Sequence, residues 1–188
     1  AVSPKEVLFF ALVLSLIGFM PAFMTTLSCL MVAVIAWIVS VTYITEGKRT
    51  GLLGNFLVSA CVAIPFIYGG FVVEKLGLPI IIFTVIVFLS NTGREVTKGI
   101  VDVEGDKSQN IRTIAVLYGD RTAAVAASIF SVLAVSLSPL PWLWKLVSNL
   151  FLPFVLVTDV GLLVSCIFLL RDYSRKNAKR VKNLSLVW

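Results

Sequence analysis

Between Glu6 and Glu46 the chain carries no charged side chain. A helix needs about 20 apolar residues to cross the hydrocarbon of a bilayer, so this stretch is long enough for two crossings. Four further apolar runs follow. Together they predict six spans: about Pro4 to Met20, Ala22 to Ile44, Leu52 to Val73, Pro79 to Lys98, Arg121 to Leu137 and Leu146 to Leu170. A tight turn at Pro21 is expected to separate the first two. Pro65 and Gly69-Gly70 are expected to bend or thin the third. The fold class is therefore all-α, a polytopic bundle of transmembrane helices forming one domain over residues 1–188.

Composition argues against the other classes. Only 14% of the residues are charged, against about a quarter in a soluble domain. The net charge of +6 does not point to nucleic acid, because Lys and Arg collect in the cytoplasmic loops of membrane proteins. With no His, and with Cys29, Cys61 and Cys166 each inside an apolar run, a Cys/His zinc site is excluded. The cysteines read as small apolar residues.

Charge also sets sidedness. Fourteen of the sixteen Lys and Arg residues fall at the N-terminus, near residue 48, in 94–121 or in the C-terminal tail. Only Lys75 and Lys145 lie on the other side. The first side is expected to be cytoplasmic, with Trp142 and Trp144 at the opposite interface. The basic tail, Arg171 to Lys182, reads as a solvated loop facing lipid headgroups. Beyond it, from Leu184 to Trp188, the chain turns apolar again, as a further span would begin. Ser3-Pro4 with Glu6 has the form of a capping box at a helix start. A beginning at a helix, without Met, reads as a partial or processed chain.

The chemistry concentrates in Asp102-Val103-Glu104-Gly105-Asp106, flanked by Arg94, Lys98, Lys107 and Arg112. Carboxylates at a membrane edge are costly and point to function. If the fourth helix continues, Asp102 and Asp106 share one face, in a stripe with Arg94 and Lys98. Two such carboxylates can hold Mg²⁺, which keeps waters and takes phosphate oxygens as its other ligands. Lys98, Lys107 or Arg112 can neutralise a diphosphate. Gly105 is expected to let the backbone turn beside the site. An EF-hand is disfavoured because the loop lacks that spacing. From these five residues alone, a solvated charged loop with i, i+4 salt bridges remains open.

The surroundings add weight. Arg94-Glu95-Val96-Thr97-Lys98, the Asp102 to Lys107 segment, Ile111-Arg112-Thr113-Ile114-Ala115-Val116 and Gly119 together resemble the second aspartate-rich region of the UbiA superfamily of intramembrane prenyltransferases. Tyr43 to Asn55, with Lys48-Arg49 and Gly54-Asn55, is similar to the loop after that family's fourth helix. Ala1 to Glu6 resembles the start of its third helix, and Lys176 to Trp188 the approach to its ninth. Essentially the whole chain is covered, as helices three to eight of a nine-helix fold.

The resemblance implies a Mg²⁺-dependent transfer of a prenyl group from its diphosphate to a hydrophobic acceptor. It implies Asp102 and Asp106 as metal ligands and catalytic residues, matching a DxxxD motif. It implies Tyr43 and Lys48 as diphosphate-binding residues, beside Lys98 and Arg112, which the flanking charges already propose for that role. Residues 1–6, 43–55 and 94–119 are similar to the archaeal ether-lipid subgroup, which adds a geranylgeranyl group to geranylgeranylglyceryl phosphate. Aromatic acceptors of quinone, chlorophyll or haem pathways are the alternative. Two departures stand out. Gly99 occupies a place where the family often has Asp, and Asn110 one where Gly is common, though Asn tolerates left-handed backbone. The family's first motif, NxxxDxxxD, is not found in these 188 residues. A polypeptide confined to them is therefore expected to be inactive.

Other residues carry rival readings. Asp159, mid-span, marks a transporter site or a hydrogen bond to a neighbouring helix. Asn91 is read as a pair between helices, Arg121 as a charged helix end, and Phe9, Phe10 and Phe19 as lipid-facing or packing residues. A non-catalytic metal-binding membrane subunit is a third possibility.

Overall fold

The computed structural model describes residues 3–187. Ala1, Val2 and Trp188, which the sequence places in the first helical turn and the terminal apolar stretch, lie outside the described residues. Among the described residues, ten α-helices run in chain order: α1 Pro4–Thr25, α2 Leu27–Thr45, α3 Leu52–Val72, α4 Leu78–Val101, α5 Val103–Ser108, α6 Ile114–Tyr118, α7 Asp120–Leu137, α8 Leu140–Leu143, α9 Phe151–Arg171 and α10 Arg175–Leu184. Among the described residues, six stretches are long and apolar enough to cross a membrane: α1, α2, α3, α4, α9 and the combined Asp120–Leu143.

Successive spans pack as antiparallel neighbours, and α4 is the hub, touching α3, α7 and α10. The burial pattern is that of a protein whose solvent is lipid. Large apolar side chains such as Phe9, Phe10 and Met24 are exposed, while Ser59 and Thr92 are fully buried. Lipid tails give apolar helices no reason to associate, so close contact of small residues and interhelical hydrogen bonds do that work. Gly93 of α4 shows the first. A Cβ there would come within 2.8 Å of the Ala127 carbonyl oxygen on α7. The second is a polar knot. Asn91 Nδ2 donates to Ser59 Oγ at 3.1 Å. Ser59 Oγ lies 2.9 Å from Thr92 Oγ1, whose own hydrogen faces the Phe88 carbonyl at 2.7 Å. Asn91 thus pairs between helices.

The densest packing lies at one end of the bundle. Val96, Ile100 and Val101 of α4 meet Ala123, Ala124 and Ala127 of α7, Leu169 of α9, and Ala178 and Val181 of α10. This core backs directly onto the aspartate segment that follows Val101.

Three boundaries differ from expectation. Pro21 lies inside α1, and the break falls at Thr26, which is extended (φ −151°, ψ 159°). Its hydroxyl accepts the Cys29 N–H at 3.1 Å, so the capping residue, not the proline, sets the turn. Within a span a proline is tolerated because neighbouring groups satisfy the freed carbonyl. The sixth span starts at Phe151, not Leu146, because Pro139 and Pro141 open the short α8 and Lys145 takes a left-handed φ of 56°. The basic tail is a helix, not a solvated loop. Ser174 caps α10 by accepting from the Asn177 N–H, and Ala178 and Val181, three apart, bury one face.

Candidate functional site

The aspartate segment sits where α4 ends. Asp102 caps α4 with φ −103° and ψ 8°, and α5 begins one residue later. The break leaves the helical register intact, because the Asp106 N–H donates to the Asp102 carbonyl at 2.8 Å. The two carboxylates therefore project to one side. Gly105 makes no turn. It is an ordinary helical residue of α5, with open space around its α-carbon, so the expected backbone role is corrected.

Asp102 and Asp106 line an open cavity of about 370 Å³. Facing them are Tyr43 from α2, Lys48 from the loop before α3, and Lys98 from α4. The loop is pinned by backbone contacts. The Arg112 N–H donates to the Arg49 carbonyl at 3.3 Å. Gly51 has φ +66°, and a Cβ on it would overlap the Arg112 carbonyl. A single-turn helix, Gly47–Arg49, thereby holds Lys48 at the rim. Five of the sequence-predicted residues, Tyr43, Lys48, Lys98, Asp102 and Asp106, thus meet in one cavity. Arg112 does not line it. Its side chain is exposed and its backbone does the work.

Sequence reasoning missed three lining residues: Glu95, Gln109 and Arg175. Glu95 is only 8% exposed and binds two cations, Arg94 at 3.1 Å and Lys98 at 3.2 Å. Arg94 therefore leaves the predicted stripe. It lines a smaller cavity against α7, α9 and α10. An acidic residue within an apolar helix, with a base one position before it and another three positions after, was the available signal. Asn110 has φ 56°, the left-handed backbone expected of a glycine substitute. Gly99 is buried on the cavity wall, and a Cβ there would meet Thr113 only at ordinary contact distance, 3.5 Å.

The electrostatics suit a cation. Burial pushes the Asp106 carboxyl above its ordinary value, and the Asp102 charge pushes it further. Lys48, Lys98 and the Thr113 hydroxyl pull it partly back. Two hard oxygen donors that repel one another across a solvent-open cavity fit a small divalent ion that keeps several non-protein ligands. No group of three or more His, Cys, Asp or Glu residues placed to hold a metal occurs among the described residues.

Asp159 does not line this cavity. It accepts a hydrogen bond from Ser138 at 2.6 Å, tying α9 to the end of α7.

The fold is that of known proteins. The model of the UbiA prenyltransferase family matches residues 1–187. The chain belongs to the UbiA prenyltransferase family. Among curated UbiA relatives, a digeranylgeranylglyceryl phosphate synthase of Archaeoglobus fulgidus is 38% identical over 150 residues, covering 74% of this chain and 49% of the relative. Another of that name, from Pyrococcus furiosus, is 33% identical over 172 residues, covering 92% of this chain and 61% of the relative. The chain thus spans half to two thirds of the length of these relatives. A solved structure from work on digeranylgeranylglyceryl phosphate synthase in membranes superposes with a TM-score of 0.85 at 26% identity, over 99% of this chain and 66% of its own. A UbiA homologue from Aeropyrum pernix gives 0.82 at 18% identity, over 99% and 69%, a likeness of fold.

Proposed function

We propose that this UbiA-family chain takes part in transferring a geranylgeranyl group from its diphosphate to geranylgeranylglyceryl phosphate, with Mg²⁺ at Asp102 and Asp106. The observation that carries the reading is the cavity in which these two carboxylates face Lys48 and Lys98 at the end of an apolar bundle. The acceptor comes from the names of the similar relatives. A divalent cation there supplies Lewis-acid stabilisation of the leaving diphosphate.

The chain's own residues do the rest. Lys48 and Lys98 are preorganised cations beside the place where negative charge grows as the allylic C–O bond breaks. Tyr43 lines the cavity beside them. In this reading the prenyl tail would lie along the apolar spans, away from water. The bias of Lys and Arg toward the face that holds the aspartate cavity supports a cytoplasmic orientation of that face. The family's first aspartate-rich motif is not found in these 188 residues, so a polypeptide confined to them is expected not to turn over.

The test is Mg²⁺-dependent release of diphosphate from geranylgeranyl diphosphate, with and without geranylgeranylglyceryl phosphate, alongside an intact mass of the same sample. Acceptor-dependent release that disappears in Asp102→Ala and Asp106→Ala is expected from a preparation longer than 20.5 kDa. Release that survives both substitutions would overturn the metal assignment. Release from a preparation of 20.5 kDa would overturn the expected inactivity.

A further inference from the structure

Arg175 reaches the aspartate cavity from the far end of the chain. It is the first residue of α10, directly after the Ser174 cap. A cation is unfavourable there, because the N-terminus of a helix carries the positive end of its dipole. Local helix stability would prefer an acidic side chain, so something outside the helix accounts for the placement.

Its partner is Glu104. Arg175 Nη1 donates to Glu104 Oε2 at 3.1 Å. Glu104 lies two residues from both Asp102 and Asp106, which turns it away from the face they share. Arg175 lines the cavity and Glu104 does not. The two side chains are 65% and 84% exposed, so the pair is screened by water and readily exchanged. The guanidinium thus stands at the rim with one N–H engaged, out of five that it can donate.

The other cations of the cavity are partly committed. Lys98 is shared with the buried Glu95. Lys48 forms no ion pair among the described residues.

We infer that Arg175 is a phosphate-binding residue of this cavity, held in reserve by Glu104. Phosphate oxygens take the guanidinium over from the Glu104 carboxylate, replacing a single hydrogen bond with the two-pronged contact that a planar fork makes with phosphate. The inference rests on the transferase reading given above. The shared chemistry is a phosphate group, which either the donor's diphosphate or the acceptor's own phosphate supplies.

The experiment measures binding of inorganic pyrophosphate with Mg²⁺, and separately of glycerol 1-phosphate, to the purified protein in nanodiscs. The variants are Arg175→Ala, Arg175→Lys and Glu104→Gln. Arg175→Ala is expected to weaken one of the two ligands by roughly tenfold, with Arg175→Lys intermediate. Glu104→Gln frees the guanidinium and is expected to tighten the same ligand by up to about fivefold. That gain separates ligand binding from a structural latch, since breaking a latch loses affinity in either partner's variant. A response to pyrophosphate assigns the donor, and a response to glycerol 1-phosphate alone assigns the acceptor. If the wild type binds pyrophosphate and Arg175→Ala binds both ligands equally well, the inference is overturned and the transferase reading stands. If the wild type binds no pyrophosphate with Mg²⁺, the transferase reading itself falls.

Discussion

The backbone N–H of Asp106 donates to the carbonyl of Asp102 at 2.8 Å, across the break between α4 and α5. That bond carries the helical register past Val101 and brings two carboxylates to one side of the cavity. Their repulsion and burial raise Asp106 above its ordinary value. The folded chain therefore holds this proton more tightly than the unfolded chain. Ionised Asp106 costs stability at neutral pH, and the cost fades as pH falls through the raised value toward the usual carboxylate range. Without divalent ions, Asp106→Asn is expected to unfold at a higher temperature than wild type at pH 7. The two melting curves should converge in acid. A variant less stable than wild type at pH 7 contradicts this account.

Mg²⁺ should reverse that order. Added ion binds the folded wild type and raises its melting temperature, while Asp106→Asn, with one carboxylate, gains little. Equal Mg²⁺-induced shifts in the two proteins would remove Asp106 from the metal site.

Gly105 invites a substitution that the sequence alone argues against. It is helical, and a Cβ there meets no neighbouring atom within 4 Å. Gly105→Ala is expected to stabilise α5 by about 0.5–1 kcal/mol and to leave Mg²⁺-dependent pyrophosphate binding unchanged. Loss of binding in a stably folded Gly105→Ala protein would show that the segment has to turn in use.

Gly51 behaves in the opposite way. A side chain there is strained by φ +66° and overlaps the Arg112 carbonyl. Gly51→Ala is expected to cost about 1–3 kcal/mol locally, to loosen the loop that carries Lys48, and to weaken pyrophosphate binding. Gly54→Ala, which closes on the Gly47 carbonyl, should act in the same direction. Pyrophosphate titrations indistinguishable from wild type would separate Lys48 from the loop's geometry.

Gly99 leaves room for a third carboxylate. Gly99→Asp places an acid on the cavity wall next to Thr113 at ordinary contact distance. It is expected to raise Mg²⁺ affinity several-fold, as added ligand charge does. Calorimetric titration of the metal reads this directly, and an unchanged or weakened affinity would mean that the new carboxylate points elsewhere.

Ser59 tests the polar knot. Ser59→Ala leaves Asn91 Nδ2 without its partner on α3. A loss of about 0.6–1.7 kcal/mol is expected, as for hydrogen bonds between helices in bilayers. The exposed Ser136→Ala serves as the reference. A Ser59→Ala melt no lower than that of the reference would show that the knot contributes nothing.

The spans were legible because lipid writes a continuous signal into the chain, and all six apolar runs form helices in the order read. Boundaries were less so. At Pro21 the chain follows a hydroxyl cap at Thr26, five residues on, and hydropathy does not register capping. The aspartate pair was legible because both partners lie on one helix face. Arg175 was not, because only the docking of α10 against α4 and α9 brings it to the cavity. The basic tail misled for the same reason, since its two buried residues, Ala178 and Val181, are a weak apolar signal among five charges. Arg112 was singled out for its guanidinium, whereas its peptide group fixes the loop.

Glu95 serves as a common counter-ion for two compartments. Through Lys98 it faces the aspartate cavity, and through Arg94 it faces the small cavity on the other side of α4. An anion that draws Lys98 toward itself leaves Glu95 to Arg94 alone. One buried carboxylate thus ties the charge balance of the two faces of α4 together.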